Sequence, residues 1–251
     1  MSDMISIHQQ SGTIQAYVAT PQKSGHYKGA VLVAHELWGL TEQIKRVADR
    51  LAEQGYMALA PDLFSTDKIN RQPSAELQAA IFSSDEHVRY NAMPQLRALI
   101  APTQTPQFKL LALSRLESCF EYLYNQPLVH QKVSIVGFGL GGGYAFELAM
   151  REQRLQTAVV FYGRAPNVQA ELRHIHCPIL AFYGSKETTL AKESAVVDQH
   201  MNQAGVTFRS VLYEGAGHAF FNEDNSFAYN SIAAKDSWRR MLDFLSGKID
   251  N

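Results

Sequence analysis

Cysteine is scarce in this chain: Cys119 and Cys177 are the only two among 251 residues. Two thiols do not make a disulfide framework, so the sequence does not read as a small stapled secreted domain. An excess of one charge is lacking too. The 23 Lys and Arg are balanced by 24 Asp and Glu and are scattered along the chain, which leaves no basic footprint for nucleic acid or an anionic membrane. No apolar run approaches the ~20 residues that cross a bilayer. The opening "MSDMISIHQQ" lacks the basic-then-apolar order of a secretory leader. These absences lead us to expect a cytoplasmic protein with no nucleic-acid or membrane partner; they leave the oligomeric state open.

What is present is a core-forming composition, 46% hydrophobic and 10% aromatic. Short β-branched runs alternate with longer amphipathic stretches. "TIQAYVA" (13–19) alternates as a half-exposed strand does, whereas "GAVLVAHE" (29–36) and "YMALAPDLF" (56–64) are continuous apolar runs, as in strands buried on both faces. Between them Thr41 reads as an N-cap, and Ile44, Val47, Ala48 and Leu51 line one helical face ending near Gly55. Helices are expected over 75–100 and 108–126, then strand "VSIVGFG", a helix to about Arg154, and strands "AVVFYG" (158–163) and "PILAFYG" (178–184). A helix over 191–204, strand "FRSVLYEG" (208–215) and a helix over 231–246 close the chain. This order predicts an α/β fold with a mainly parallel sheet and helices on both faces, in one domain spanning 1–251. The stretch 65–107, with Pro73, Pro94, Pro102 and Pro106, is the least regular and is a candidate excursion over the pocket.

In such sheets the ligand crevice lies beyond the carboxyl ends of the strands. Four strand ends carry polar or glycine-rich sequence there: Glu36, the turn "GFGLGG" (137–142), "GSKE" (184–187) and "GAGHAF" (215–220). Gly137, Gly139 and Gly142 spell G-x-G-x-x-G, the mark of a dinucleotide-binding turn. That motif belongs in the first strand–helix unit, with an acidic residue roughly 20 positions on. Here two buried strands precede it, and the next strand ends in "FYGRAP", where Arg164 is the one residue suited to a cofactor phosphate. The alternative is a nucleophile elbow, G-x-Nu-x-G, flanked by Gly137 and Gly141 with Gly139 at the centre. The order of elbow, Glu187 and His218 is the nucleophile–acid–histidine order of α/β-hydrolases.

The segment "VLVAHELWGLTEQIKRVADRLAEQGYMALAPDLF" (31–64), the turn "VGFGLGGGYAF", "FYG" (161–163) and "YEGAGHAF" (213–220) together resemble the dienelactone hydrolase family, over most of the chain outside 65–107. The resemblance implies an α/β-hydrolase fold, hydrolysis of small carboxylic esters or lactones, and no cofactor or metal. It implies a general base at His218, its orienting acid at Glu187, and at Glu36 the strand-end glutamate that partners the resting thiol. Backbone N–H groups of Leu37 and Leu140 would form the oxyanion hole. Two positions depart from the pattern. Gly139 stands where the family carries cysteine, and Asn222 stands where dienelactone hydrolase has an arginine that grips the substrate carboxylate. Trp38, Tyr162 and Asn222 are candidate pocket residues. Ser134, Cys119 and Cys177 are expected inside the packing rather than as substitute nucleophiles. "HIHCP" (174–178) is expected to hold no metal. Two outcomes are therefore expected for the site, weak non-covalent hydrolysis or binding of a small molecule or a partner without turnover, with a dinucleotide-binding enzyme as the remaining alternative.

Overall fold

The computed structural model describes residues 1–9, 12–22, 27–64, 73–166 and 169–248. In chain order the elements are β1 (Ser2–Gln9), β2 (Gly12–Ala19), β3 (Gly29–Ala34), α1 (Glu42–Glu53), β4 (Tyr56–Pro61), α2 (Ala75–Ile81), α3 (Glu86–Ile100) and α4 (Pro106–Tyr124). There follow β5 (Val133–Phe138), α5 (Leu140–Arg151), β6 (Ala158–Phe161), β7 (Ile179–Gly184), α6 (Thr188–Gln203), β8 (Phe208–Tyr213) and α7 (Ser231–Leu245). The sheet runs β1-β2-β4-β3-β5-β6-β7-β8. From β4 to β8 all neighbours are parallel, and β1 and β2 add an antiparallel edge.

Alternation decides which layer each side chain joins. On β3, Leu32 packs with α4 and α5 on one face, while Val31 and Val33 pack with α1 and α7 on the other. Every residue of β3, β4, β5, β6 and β7 is buried, at about 1.5–3 kcal/mol for each large aliphatic side chain taken from water. β3 leads into α1 on one face and β5 leads into α5 on the other. The carboxyl ends of these adjacent strands therefore diverge and open a crevice, the topological switch point of an open parallel sheet.

Several sequence expectations are corrected. β1 was not foreseen: only Ile7 along it is buried, so it offers little hydrophobic periodicity. The helix expected over 75–100 is two. α2 ends at Ile81, and the Asp85 carboxylate accepts from His87 and Val88 N–H to start α3 anew. Pro94 lies inside α3, and Pro106 opens α4 behind the Thr105 cap, as the missing N–H of proline allows. Thr41 stands at the N-cap of α1 without a side-chain capping bond. α6 begins at Thr188 rather than 191. Of the irregular stretch 65–107, residues 65–72 lie outside the described residues. The remainder folds over the crevice: Phe82 and Leu96 form a small apolar cluster with Trp38, whose ring meets Phe82 edge-on at 5.0 Å. Among the described residues no helix is long and apolar enough to cross a membrane.

Candidate active site

The strand-to-helix turn after β5 is built from glycines for two different reasons. A Cβ on Gly137 would stand 2.1 Å from the Gly141 carbonyl oxygen, and one on Gly141 would stand 2.2 Å from that of Ala34. No side chain fits either place, because α5 leaves the sheet in backbone contact with β3. Gly139 is unlike them. Its φ of +51° and ψ of −111° are strained for any L-residue, yet a Cβ there would meet only ordinary contacts. Those contacts are His218 Nε2 at 3.7 Å, Glu36 Cγ at 3.9 Å and Tyr162 Cδ2 at 3.9 Å. The Gly139 N–H is held by the Phe161 carbonyl at 2.9 Å, which extends the β5–β6 pairing into the turn.

His218 reaches this position from the loop after β8. Its Nδ1 lies 2.5 Å from Glu187 Oε2 at the head of α6, and its side chain is 47% accessible. A carboxylate on Nδ1 requires the proton there, which leaves Nε2 as an acceptor facing position 139. Desolvation opposes charging the ring, but the Glu187 hydrogen bond and the charges of Glu187 and Glu36 outweigh it, so the imidazole pKa lies above its ordinary value.

Glu36 extends β3 by two residues and is 5% exposed. Its Oε1 accepts from the Tyr162 hydroxyl at 2.7 Å and its Oε2 from Asn222 Nδ2 at 2.9 Å. Burial pushes its pKa up; the two hydrogen bonds and nearby His218 restrain the rise. Tyr162 and Asn222, the other expected pocket residues, stand beside Glu36. Both are buried and absent from the cavity wall, because each turns inward to satisfy the Glu36 carboxylate. Tyr162 adopts φ +43° and Ala219, beside His218, φ +60°. Two of the four non-glycine residues with positive φ among those described thus flank the site, each at about 1–3 kcal/mol of strain held by its surroundings.

His35 was missed by sequence reasoning. The ring is fully buried, its Nε2 accepts from Leu63 N–H at 2.9 Å, and its Nδ1 donates to the Glu36 carbonyl at 2.7 Å. Desolvation lowers its pKa, in keeping with a neutral ring. Its own carbonyl accepts from Gly141 N–H at 3.1 Å. The only sequence signal was its place beside a strand-end glutamate.

Glu36, Leu37, Trp38, Gly139, Leu140, Glu187 and His218 all border one cavity of about 730 Å³, roofed by Ile81, Arg89 and Leu96 from α2 and α3. Leu140 is the first residue of α5, where N–H groups have no acceptor within the helix. Arg89 is fixed at the mouth: it donates to the Ser83 carbonyl at 2.7 Å, and its guanidinium lies 3.7 Å from the Phe227 ring centre. The other candidates lie elsewhere. Ser134 is buried and accepts from the Thr157 hydroxyl, and both cysteines are buried, their thiol pKa values pushed up to about 12 by desolvation. Arg164 is exposed and pairs with Glu193 at 3.3 Å, outside the cavity. Among the described residues no group of three or more His, Cys, Asp or Glu is placed to hold a metal.

Comparison with known proteins agrees with this architecture. The model of the "Dienelactone hydrolase family" matches residues 14–248. A Saccharolobus solfataricus protein named "Putative carboxymethylenebutenolidase" is 32% identical, the alignment covering 98% of each chain. An Escherichia coli K12 protein of the same name is 29% identical over 95% of this chain and 84% of its own. Among solved structures, one titled as a putative dienelactone hydrolase from Klebsiella pneumoniae superposes with a TM-score of 0.79 at 24% identity, covering 98% of both chains. Dienelactone hydrolase from Anabaena variabilis superposes at 0.66 with 21% identity over 96% of this chain and 97% of its own. Those structures establish the α/β-hydrolase fold.

Proposed function

The chain belongs to the dienelactone hydrolase family, and on that premise we propose that it hydrolyses small carboxylic esters or lactones slowly, by direct attack of water rather than through an acyl-enzyme. The supporting observation is the pairing at the turn: His218 Nε2 lies 3.7 Å from where a side chain on residue 139 would begin, while Glu187 holds the opposite nitrogen. Glycine at 139 removes the covalent route and leaves the base. In the proposed step, His218 Nε2 takes a proton from water as its oxygen bonds to the acyl carbon. The oxyanion is received by the Leu37 and Leu140 N–H groups, and the imidazolium returns the proton to the departing alkoxide, giving acid and alcohol. Relatives named carboxymethylenebutenolidase support a lactone among the substrates. Asn222, engaged with Glu36, offers the substrate no cationic grip.

Gly139 also favours a second reading, in which the chain binds such molecules without turning them over. The test is a panel of p-nitrophenyl esters and small lactones with wild type and His218→Ala. Slow saturable turnover without a burst, abolished in His218→Ala, is expected. Saturable binding with no turnover supports the second reading. A burst of one product per chain would refute the water mechanism.

A further inference from the structure

The Glu36–Leu37 peptide carries two groups with different tasks. Its N–H, in the reading above, is one of the two oxyanion donors. Its C=O accepts from His35 Nδ1 at 2.7 Å and from Gly39 N–H at 3.2 Å. The peptide is trans and planar, so the N–H points opposite to the C=O. Whatever holds the carbonyl therefore aims the donor. We propose that His35 is a positioning residue: its buried neutral ring fixes the peptide plane that presents the Leu37 N–H to the cavity.

Three observations carry this. First, the tautomer is determined by partners. Leu63 N–H can only donate, so Nε2 carries no proton and Nδ1 carries it toward the Glu36 carbonyl. Second, the ring cannot drift, being fully buried, edge-on to Phe64 at 4.7 Å between ring centres, with Asp62 Oδ1 4.0 Å from Nε2. Third, the same residue ties the other half of the oxyanion site. Its backbone carbonyl holds Gly141 N–H at 3.1 Å, next to Leu140, so the two donors of that reading share one reference point. A hydrogen bond accepted by the carbonyl also polarises the amide and makes its N–H a better donor.

The inference rests on the hydrolytic reading for its kinetic consequence but not for its geometry, and the test separates the two. His35→Phe preserves a buried ring and removes both bonds; His35→Asn returns a donor near the Nδ1 position. Each is made in wild type and in Gly139→Cys, with kcat, KM and Tm measured. Losing an oxyanion donor outright lowers turnover about 10²–10³-fold; a misaimed one is expected to lower kcat about 10–100-fold, with KM little changed. His35→Asn is expected to recover most of kcat even if Tm stays low. In parallel, ¹⁵N NMR of the wild type should show a protonated Nδ1 and an unprotonated Nε2 on His35. The Leu37 amide resonance should move in His35→Phe and move back in His35→Asn. Unchanged kcat in His35→Phe, no recovery in His35→Asn, or a proton on Nε2 would each overturn the assignment. If neither background hydrolyses any ester, the hydrolytic reading falls, and the Leu37 resonance alone decides whether His35 sets that peptide.

Discussion

Gly139→Cys is the most informative single change. The added Cβ would meet nothing closer than 3.7 Å, so overpacking contributes little and the penalty is conformational. Holding a side-chain-bearing residue at φ +51° and ψ −111° costs about 1–3 kcal/mol. The lost chain entropy of glycine in the unfolded state offsets about 0.4–1 kcal/mol of that. The net loss, up to about 2.6 kcal/mol, lowers Tm by up to about 10 °C in a domain of this size. Against this, the thiol would start beside an imidazole already oriented by Glu187. In a serine protease, removing the nucleophile lowers turnover about 10⁶-fold and leaves about 10³–10⁴ over water. Restoring one should therefore raise kcat on p-nitrophenyl acetate by at least about 100-fold, with a burst of p-nitrophenol. Gly139→Ala is the control, since it carries the same backbone strain without a nucleophile; it should lose the same stability and gain no activity. If Gly139→Cys matches Gly139→Ala in rate, the turn does not present residue 139 to a reacting carbonyl. If neither variant loses Tm, the strain argument is wrong.

Four further outcomes follow from the geometry. The raised pKa of His218 places the rising limb of the pH–rate profile above the usual imidazole value of about 6.5, and Glu187→Gln should move that limb down. The same shift links to stability: the His218–Glu187 pair contributes fully below the unfolded imidazole pKa and loses that contribution as pH rises through the folded one. The Tm gap between wild type and Glu187→Gln should therefore shrink from pH 5 to pH 9. Asn222→Ala removes a donor from buried Glu36 and should cost about 1.5–3 kcal/mol where that carboxylate is ionised; denaturant melts should show a smaller loss at low pH. Gly137→Ala, with its Cβ 2.1 Å from a carbonyl oxygen, should abolish soluble expression, whereas Gly217→Ala, with nothing within 4 Å, should leave circular dichroism and Tm unchanged.

The parts of the fold that are buried on both faces were legible because burial writes continuous apolar runs, as in β3 and β5. β1 was not, because seven of its eight residues escape full burial and its pairing with β2 is made by the backbone. The break between α2 and α3 had a local signal in "SSD" before Glu86, but the surrounding helical periodicity masked it. At the site, strand-end positions placed Glu36, Gly139, Glu187 and His218 around one cavity. The partners of Glu36 were hidden for a different reason. Tyr162 and Asn222 lie 126 and 186 residues away in sequence, and a tyrosine after an apolar strand reads as packing until its hydroxyl acquires an acceptor. His35 escapes notice likewise, since its ring nitrogens bond main-chain groups, which carry no sequence signature.

The contrast between Gly137 and Gly141, which admit no side chain, and Gly139, which admits one, has an evolutionary consequence. Drift at the first two would destroy the molecule, so selection for folding alone preserves the frame of the turn whatever becomes of its chemistry. Its central position is free to change in either direction at modest thermodynamic risk. A lineage carrying this glycine can thus regain a side chain at the centre of the turn by a single substitution for as long as it folds.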